Sequence, residues 1–420
     1  MRNKMILDKI LVGSEREELK TSFGFKGSAL SYLTQTAVAV YADGEVGVGE
    51  GVQSVLWSDA RVFSRYGEDR GNELMLAVTE YAAGLAEGIE LEHPCDVIDA
   101  VFSPSLEYAR EICDMAVSET FVLNALVPLD LAIWSLYARR NGFENFDRVL
   151  NADKKQKRLA NIPLITYSAS VEDAIRMAKN GTPLFKIKIG SDPYGDGDPL
   201  KMLEWDKARA LEIHRALCDI ETDLTETGRI AYYFDANGRY DTRERLEELL
   251  RFLDENGILE RTVLLEEPFP QDREVSVKGL PVCVAADESA HSVRDVKRRI
   301  ELGYSAITLK PIAKTLSVTL EMLKCAEEMG VQCFCADLTV NPVMIEWNKC
   351  VAARLKPLRG MKIGVVESNG AQNYNGWERM LTYLEKQTEE GALLSPSDSA
   401  DVFKVHEHYL KIATRVAENN

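Results

Sequence analysis

The stretch LFKIKIG, residues 184–190, decides the fold prediction, because it is typical of a buried strand and yet carries two charges. Apolar residues flank Lys186 and Lys188 on both sides. Successive strand residues point to opposite faces, so the two ammonium groups lie on the same side, about 7 Å apart. Since a buried charge is costly unless it is paired, we expect anionic groups on that side.

Seven similar apolar runs occur along residues 160–375, and charged segments with helical patterns separate them. Short strands that alternate with helices predict parallel βα units, and eight such strands close into a barrel. We therefore predict an α/β fold with a modified TIM (β/α) barrel at 160–375. The segment at 191–207 is interpreted as a surface loop insertion. The predicted strands lie in PLITYSA, LFKIKIG, IAYYFDAN, TVLLEEP, VCVAADES, SAITLK, QCFCADL and MKIGVVESN.

Residues 1–150 show a different pattern and predict a separate α+β capping domain. Asp43-Gly44 stands between two apolar runs, which indicates a β-hairpin. Helical periodicity follows near 72–88, 105–116 and 120–140. A polar, basic linker at 151–163 ends in proline and favours a domain boundary there. The segment 376–420 is predicted to be helical.

Composition narrows the range of partners. The 420 residues carry a formal net charge of −17, which disfavours binding to nucleic acid or to anionic membranes. No run approaches 18 apolar residues and the start lacks a signal pattern, so we expect a cytoplasmic protein that binds no membrane. We also expect a homo-oligomer. Of eight cysteines only Cys333 and Cys335 stand close together, which predicts buried reduced thiols rather than a zinc site.

Charged or amide side chains stand at the ends of seven predicted strands. In a TIM barrel the C-terminal strand ends form the active face, so these residues are candidates for function and for the anions that Lys186 and Lys188 require. The set comprises Lys186, Lys188, Asp235, Asn237, Glu266, Glu267, Asp287, Glu288, Lys310, Asp337 and Glu367.

Three of these acids predict a metal site. Asp235, Glu266 and Asp287 follow three neighbouring strands and can converge on one point. Bare carboxylates repel one another, whereas a hard divalent cation takes oxygen ligands and neutralises them. Mg²⁺ is the predicted ion, with open positions for a substrate carboxylate or water.

Two lysines flank the predicted metal. Lys188 and Lys310 belong to the second and sixth strands, on opposite sides of the three acids. A lysine is a poor base at its ordinary pKa of about 10.4, but a neighbouring cation and burial both lower the pKa. Lys186 supplies such a cation for Lys188.

These motifs, taken in order, resemble the enolase superfamily and within it the muconate-lactonizing subgroup, with a likeness to mandelate racemase/muconate lactonizing enzymes and to dipeptide epimerases. The resemblance implies a cap followed by a modified TIM barrel, with the C-terminal segment returning to the cap and with substrate choice made by cap loops. It rests on KIK at 186–188, DAN at 235–237, EEP at 266–268, ADES at 286–289, the lysine of ITLK at 310 and the helix LDLAIWSLYAR at 129–139.

The shared chemistry of that family is magnesium-dependent removal of the proton α to a carboxylate, with an enolate intermediate. The use of a lysine or histidine base with magnesium is a documented property of the superfamily. The resemblance implies that Asp235, Glu266 and Asp287 are the magnesium ligands. Lys188 would be the base on one face of the substrate and Lys310 the acid or base on the other. Lys186, Asn237 and Glu288 would support them, with Lys186 also touching the substrate carboxylate. Glu267 is expected to form an outward-facing ion pair.

The seventh strand narrows the choice of reaction. No histidine falls in its segment, which disfavours the mandelate racemase and sugar-acid dehydratase branches. Asp337 matches the first acid of the Asp-x-Asp that holds the ammonium group in dipeptide epimerases, but Thr339 replaces the second. The leading hypothesis is a racemase or epimerase of a small-molecule carboxylate, with dipeptides as the specific substrate. A cycloisomerase or an o-succinylbenzoate synthase-type syn-dehydratase would use the same lysines and metal.

Two hypotheses from other classes stay open. A metal-free Schiff-base lyase could use Lys310, and a non-catalytic binding protein needs none of this chemistry. Residues that could contact the substrate are Asp337, Glu367, Phe23, Phe25, Lys26 and Trp57.

Overall fold

The computed structural model describes residues 5–25, 28–384, 391–396 and 400–415. Its N-terminal part is a three-stranded antiparallel sheet in the order β1-β2-β3. The predicted hairpin is confirmed: Asp43 and Gly44 both have positive φ, 50° and 80°, as a two-residue hairpin turn requires. The strands are β1 (Lys9–Phe25), β2 (Ser28–Ala42) and β3 (Glu45–Gln53).

Four helices complete this part of the chain, and the last of them lies against the sheet. A Cβ atom added at Gly47 or Gly49 would lie 2.2 Å from a backbone atom of this helix, so only glycine permits the close approach. The helices are α1 (Val55–Ser58), α2 (Ala60–Ala86, kinked at Gly67), α3 (Pro94–Ile112) and α4 (Glu119–Arg140).

Helix α4 is apolar almost all round. Among the described residues it is the one helix long and apolar enough to cross a membrane by length and composition alone. In the structure 94% of that apolar window is buried inside the protein. Such burial is typical of a core helix.

Eight parallel strand positions form the barrel, as the alternating pattern predicted. The first position is split by Pro163 into two short strands that face different neighbours. One half pairs with the last barrel strand and the other half pairs with the second, so the sheet closes on itself at the proline. The strands are β4 (Leu159–Ile162), β5 (Leu164–Ile165), β6 (Leu184–Lys188), β7 (Ala231–Asp235), β8 (Thr262–Glu266), β9 (Val284–Ala286), β10 (Ala306–Leu309), β11 (Gln332–Cys335) and β12 (Gly364–Glu367).

Helices connect most barrel strands, with two differences from the prediction. Residues 267–283, all described, contain no helix between β8 and β9, because prolines at 268, 270 and 281 break helical patterns. The predicted loop at 191–207 is a loop only up to residue 198, since Pro199 begins a helix that Asp198 caps. The helices are α5 (Val171–Lys179), α6 (Pro199–Leu217), α7 (Arg243–Glu255), α8 (Val293–Glu301), α9 (Leu316–Glu328) and α10 (Pro342–Ala352).

The C-terminal segment is helical only in part, which corrects the prediction for 376–420. It contains a short strand that pairs antiparallel with β4 and a final helix that packs Tyr409 and Ile412 against β2 and β3. A Cβ at Gly13 would lie 2.0 Å from the Ile412 carbonyl oxygen, which shows how closely this helix approaches β1. After β12 the elements are α11 (Gly370–Asn373), α12 (Trp377–Leu381), β13 (Leu393–Leu394), a 3₁₀ turn at Ala400–Phe403 and α13 (Glu407–Thr414). Elsewhere in the chain, 3₁₀ turns lie at Phe146–Arg148 and Leu259–Arg261.

All eight cysteines are free. Five are buried, whereas Cys95, Cys218 and Cys283 are partly exposed. The predicted burial therefore holds for five of the eight thiols.

Candidate active site

Eight of the eleven polar side chains predicted at the strand ends line one cavity of about 50 Å³, which we call the active cavity. Glu266, Glu267 and Glu288 are not among its lining residues. Its apolar wall comes from Leu30, Leu33 and Trp57 of the N-terminal part and from Leu164 and Leu338 of the barrel. Its polar wall comes from the C-terminal ends of the barrel strands and the residues that follow them, with Ser54 from the N-terminal part; the barrel residues are Lys186, Lys188, Asp235, Asn237, Asp287, Lys310, Asp337, Thr339, Glu367 and Asn369.

Lys186 finds the anionic partners that its position in a buried strand required. Its Nζ lies 2.8 Å from Glu266 Oε2, 3.0 Å from Asp235 Oδ2 and 3.2 Å from Glu367 Oε2. Burial alone lowers the pKa of this lysine, but the three carboxylates outweigh it and hold the pKa well above its ordinary value. Lys186 is therefore a permanent cation among three strand ends.

Lys188 is held by a second set of contacts. Its Nζ lies 2.6 Å from Asp235 Oδ2 and 2.5 Å from Asn237 Oδ1. The Asn237 side-chain amide donates in turn to Glu288 Oε1 at 3.1 Å. The predicted supporting residues Asn237 and Glu288 thus lie in one hydrogen-bonded row behind Lys188.

Lys310 occupies the opposite wall of the active cavity. Its Nζ lies 2.5 Å from Asp287 Oδ2 and 4.6 Å from the centre of the Trp57 ring, a cation–π contact. Burial lowers the pKa of Lys310, but the Asp287 charge more than offsets this and raises it above the ordinary value. Trp57 therefore brings the N-terminal part of the chain onto this lysine.

Lys314 was missed by the sequence analysis. It is fully buried, and its Nζ donates to the Asp287 carbonyl oxygen at 2.6 Å, to Asp287 Oδ1 at 3.0 Å and to the Ala290 carbonyl oxygen at 2.9 Å. The available signal was a lysine inside the apolar segment IAKTL, four residues after Lys310. Asp287 is consequently held between two ammonium groups.

The three acids predicted to bind metal are fully buried and interact with one another. Burial raises the pKa of Glu266 to about 8, and the neighbouring Asp235 charge adds to the shift. Asp235 behaves differently, because Lys186 and Lys188 outweigh the effect of burial and lower its pKa. Glu266 also accepts hydrogen bonds from the Tyr233 hydroxyl and, at 3.1 Å, from Thr308 Oγ1.

As arranged here, no set of three His, Cys, Asp or Glu side chains in the described parts of the chain is positioned to hold a metal ion. Lysine ammonium groups occupy oxygens of all three acids instead. The donor chemistry nevertheless suits a hard divalent cation, since Asp235, Glu266 and Asp287 are buried oxygen donors at successive strand ends. The raised pKa of Glu266 indicates that further positive charge would stabilise the ionised set.

Glu267 corrects one prediction, because it does not form an outward-facing ion pair. It is 1% exposed, and its Oε2 accepts hydrogen bonds from the Asp287 backbone amide at 2.7 Å and from Ser289 Oγ at 3.0 Å. Burial and the nearby Glu288 raise its pKa to about 7. Glu267 thus braces the loop that carries Asp287.

The two acids proposed from sequence to contact substrate line the active cavity but are largely engaged within the protein. Asp337 Oδ1 accepts from the Leu338 amide at 2.7 Å, and its Oδ2 accepts from the Asn369 amide at 2.8 Å. Burial, followed by the charge of Glu367, raises the pKa of Asp337 to about 7. Glu367 contacts Lys186 and accepts from the Asp337 amide at 3.1 Å.

The remaining predicted contacts lie in the N-terminal part. Trp57 is 5% exposed and lines the active cavity. Phe23 and Phe25 belong to β1, but their side chains lie outside what the structure describes, and Lys26 lies outside the described residues.

The fold and the site together define a (β/α)-barrel protein with lysines and carboxylates gathered at the C-terminal ends of its strands. The sequence profile of the family described as "Enolase C-terminal domain-like" matches residues 169–393, more than half of the chain. The chain therefore belongs to the enolase superfamily, in the mandelate racemase/muconate lactonizing subgroup, as the motifs predicted.

Solved structures share the fold at low sequence identity. A dipeptide epimerase from Cytophaga hutchinsonii, complexed with Mg and the dipeptide D-Ala-L-Val, has a TM-score of 0.66 at 18% identity and covers 95% of each chain. The L-Ala-D/L-Glu epimerase from Bacillus subtilis has a TM-score of 0.69 at 16% identity, over 94% of this chain and 97% of that one. The N-succinyl Arg/Lys racemase from Bacillus cereus has a TM-score of 0.70 at 16% identity, over 97% and 98%. No curated protein matches the chain at a significant level.

Proposed function

We propose that this protein is a magnesium-dependent racemase or epimerase that exchanges the proton α to the carboxylate of a small molecule. The observation that carries the proposal is the placement of the two lysines. Strands β6 and β10 lie diametrically opposite in the closed ring of eight strand positions, and Lys188 and Lys310 line the same cavity from these two sides. Opposed lysines allow a proton to leave one face of a carbon and to return on the other.

The residues that would hold the metal are Asp235, Glu266 and Asp287, whose strands lie between those of the two lysines. When bound, Mg²⁺ supplies stabilisation for the negative charge that develops on the substrate carboxylate as the α-proton is lost. The Mg-containing dipeptide epimerase structure of the same fold supports this choice of ion.

The lysines of the chain would divide the remaining work. Lys186 is a fixed cation that can orient the substrate carboxylate, because its Nζ already gathers three carboxylate oxygens. Lys188 and Lys310 would each take up or return a proton at the α-carbon. Asn237 holds Lys188 in position, while Asp287 and Trp57 hold Lys310.

Dipeptides are the substrate class that we propose first. Structures of dipeptide epimerases share the fold, and Asp337 matches the first acid of the Asp-x-Asp that the family resemblance implies for binding a substrate ammonium group. Thr339 replaces the second acid, so carboxylates without a free ammonium group, such as N-acyl amino acids, belong in the same experiment.

The test is α-proton exchange in deuterated water with Mg²⁺, followed by NMR over libraries of dipeptides and N-acyl amino acids in both configurations. Exchange with loss of optical purity would support a racemase or epimerase. Exchange without inversion, or with ring closure or loss of water, would assign a cycloisomerase or dehydratase instead. Activity that persists without metal and is trapped on Lys310 by borohydride would overturn the proposal in favour of a Schiff-base lyase.

A further inference from the structure

Asp130, the one acid in α4 after its first residue, reaches from the N-terminal part of the chain to the barrel. It is 0% exposed. Its Oδ2 accepts hydrogen bonds from the backbone amides of Leu316 at 2.6 Å and Ser317 at 3.2 Å, and its Oδ1 accepts from Ser317 Oγ at 2.5 Å. Leu316 and Ser317 are the first two residues of α9. The carboxylate therefore closes the N-terminus of a barrel helix, where free amides and the helix dipole favour negative charge.

No cation compensates the charge of Asp130. The carboxylate forms no ion pair with any residue in the described parts of the chain, and its contacts are the three hydrogen bonds from α9. Burial raises the pKa of Asp130 to about 6, although these hydrogen bonds act to lower it. Burial of a carboxylate is costly without such partners. The grip on the start of α9 is thus what this residue supplies and what an apolar residue of α4 could not.

The start of α9 is tied to Lys310 by a short and tightly bonded segment. The Lys310 carbonyl oxygen accepts hydrogen bonds from the amides of Ala313 at 2.9 Å and Lys314 at 2.7 Å, so the chain turns at once after β10. Thr315 then ends the turn with a φ of 65°, a left-handed conformation that a β-branched residue adopts only at a cost. Such a backbone persists where neighbouring contacts hold it. Asp130 provides contacts of this kind on the two residues that follow.

Lys188, the other lysine of the active cavity, has a corresponding acid on α6. Asp206 is 0% exposed, and both of its carboxylate oxygens accept from the Gly190 backbone amide, at 2.8 and 2.9 Å. Its Oδ2 also accepts from the Tyr240 hydroxyl at 2.8 Å. Gly190 stands two residues after Lys188 in the turn that leaves β6, with a φ of 78°. Asp206 likewise forms no ion pair with any residue that the structure describes, and burial raises its pKa to about 7.

The two aspartates stand in the same relation to the two lysines, since each binds backbone amides in the segment that follows one lysine. We propose that Asp130 is a positioning residue for Lys310 and that Asp206 is a positioning residue for Lys188, each setting the approach of its lysine to the substrate α-carbon. The inference rests on the proposed function, in which the two lysines act on opposite faces. Through Asp130, α4 of the N-terminal part would influence one face of the reaction and leave the other unchanged.

The experiment separates positioning from general support of the fold, because general support would affect both enantiomers of the substrate alike. Proton NMR in deuterated water with Mg²⁺ measures the initial loss of the α-proton from each enantiomer, supplied separately. Lys188→Ala and Lys310→Ala first identify the enantiomer that each lysine exchanges. Asp130→Ala should then lower kcat for the enantiomer of Lys310 by about tenfold or more and leave KM within about twofold, since a small displacement of a base slows proton transfer more than binding. The enantiomer of Lys188 should change by less than about twofold.

Asp206→Ala should give the reverse pattern, with the loss confined to the enantiomer of Lys188. Asp130→Asn and Asp206→Asn keep the shape of the side chain and one acceptor oxygen, so each should show a smaller loss, about threefold, on the same enantiomer as its alanine variant. These two variants decide the question if the alanine variants do not fold. Asp254→Asn is the control, because it removes the same charge from an exposed position near the end of α7 and should alter neither rate.

A loss shared equally by both enantiomers in a folded variant, or no loss in either, would overturn the inference while exchange by the wild type stood. If the wild type exchanges fewer than two enantiomers, the proposed function fails, and hydrogen exchange followed by mass spectrometry tests the positioning contacts by themselves. Faster exchange of the amides of 310–317 in Asp130→Asn, with those of 186–191 unchanged, would support the contacts. Equal exchange in wild type and variant would overturn them.

Discussion

Lys314 Nζ lies 3.0 Å from Asp287 Oδ1 and 2.6 Å from the Asp287 carbonyl oxygen, so one buried ammonium group holds both the side chain and the backbone of a proposed metal ligand. The same nitrogen reaches the Ala290 carbonyl oxygen at 2.9 Å. These contacts fix the turn after β9 from inside. Lys310 then takes the other carboxylate oxygen of Asp287.

Lys314→Met should destabilise the protein by about 3 kcal/mol, because it leaves a buried carboxylate and two carbonyl oxygens without their shared donor. Urea unfolding followed by circular dichroism measures the loss. Lys324→Met is the control, since Lys324 is exposed on the same helix, α9, and its change should cost less than about 0.5 kcal/mol. A Lys314→Met protein as stable as the control would show that these contacts contribute little.

Glu266→Gln should leave the fold intact and lower α-proton exchange by at least about a hundredfold, because a neutral amide is a poor ligand for a hard cation. Calorimetric titration with Mg²⁺ should show a matching loss of affinity. Glu260→Gln, on the exposed turn before β8, should change neither quantity. Undiminished exchange in the Glu266 variant would remove Glu266 from the metal site. Undiminished exchange in enzyme treated with a chelator would show that the reaction needs no metal.

Glu50 should make the stability of the protein fall as pH rises. It lies in β3, 1% exposed, and burial raises its pKa from 4.5 to about 8. Between these values the folded protein keeps a proton that the unfolded chain releases, so the stabilising contribution is complete below about pH 4.5 and is lost by about pH 8.

Glu50→Gln should remove this dependence. As pH rises, the free energy of unfolding of the wild type should therefore fall relative to that of the variant. The expected size is on the order of 1.4 kcal/mol for each unit of pKa difference. Urea unfolding at pH 5, 6.5 and 8 measures it. A difference that stays constant over this range would show that Glu50 ionises near its ordinary pKa in the folded protein.

The strand period explains which site residues could be predicted from sequence. Lys186 and its acids were predictable because alternation within a strand fixes the facing of each side chain. Alternation fails beyond the last strand residue: Glu267 has a φ of 38°, and this left-handed backbone directs the side chain inward against the prediction. Lys314 was missed for a related reason, since it lies in an irregular turn between β10 and α9 where no period applies.

The barrel was predictable at the level of its eight strand positions, but the way it closes was not. Pro163 lacks an amide hydrogen and divides the first position into two short strands with different neighbours. The sequence PLITYSA predicted the half that is β5, whereas β4 lies within the segment predicted as the linker 151–163. Pairing partners depend on contacts far along the chain. The same holds for β13, whose two residues pair with β4 from a segment predicted to be helical.

The two lysines that face each other across the active cavity should act on different enantiomers of the substrate. If Lys188 and Lys310 act on opposite faces of the α-carbon, each exchanges the α-proton of one enantiomer with solvent. Lys188→Ala should abolish exchange of one enantiomer and spare that of the other, Lys310→Ala should do the reverse, and each change should block racemization. Proton NMR in deuterated water, with each enantiomer supplied separately, measures all four rates.

In a cycloisomerase or dehydratase one lysine removes the proton while the other acts mainly as a cation, so mirror-image losses would not occur. The racemase assignment fails if both variants lose exchange of the same enantiomer and wild-type enzyme never exchanges the other.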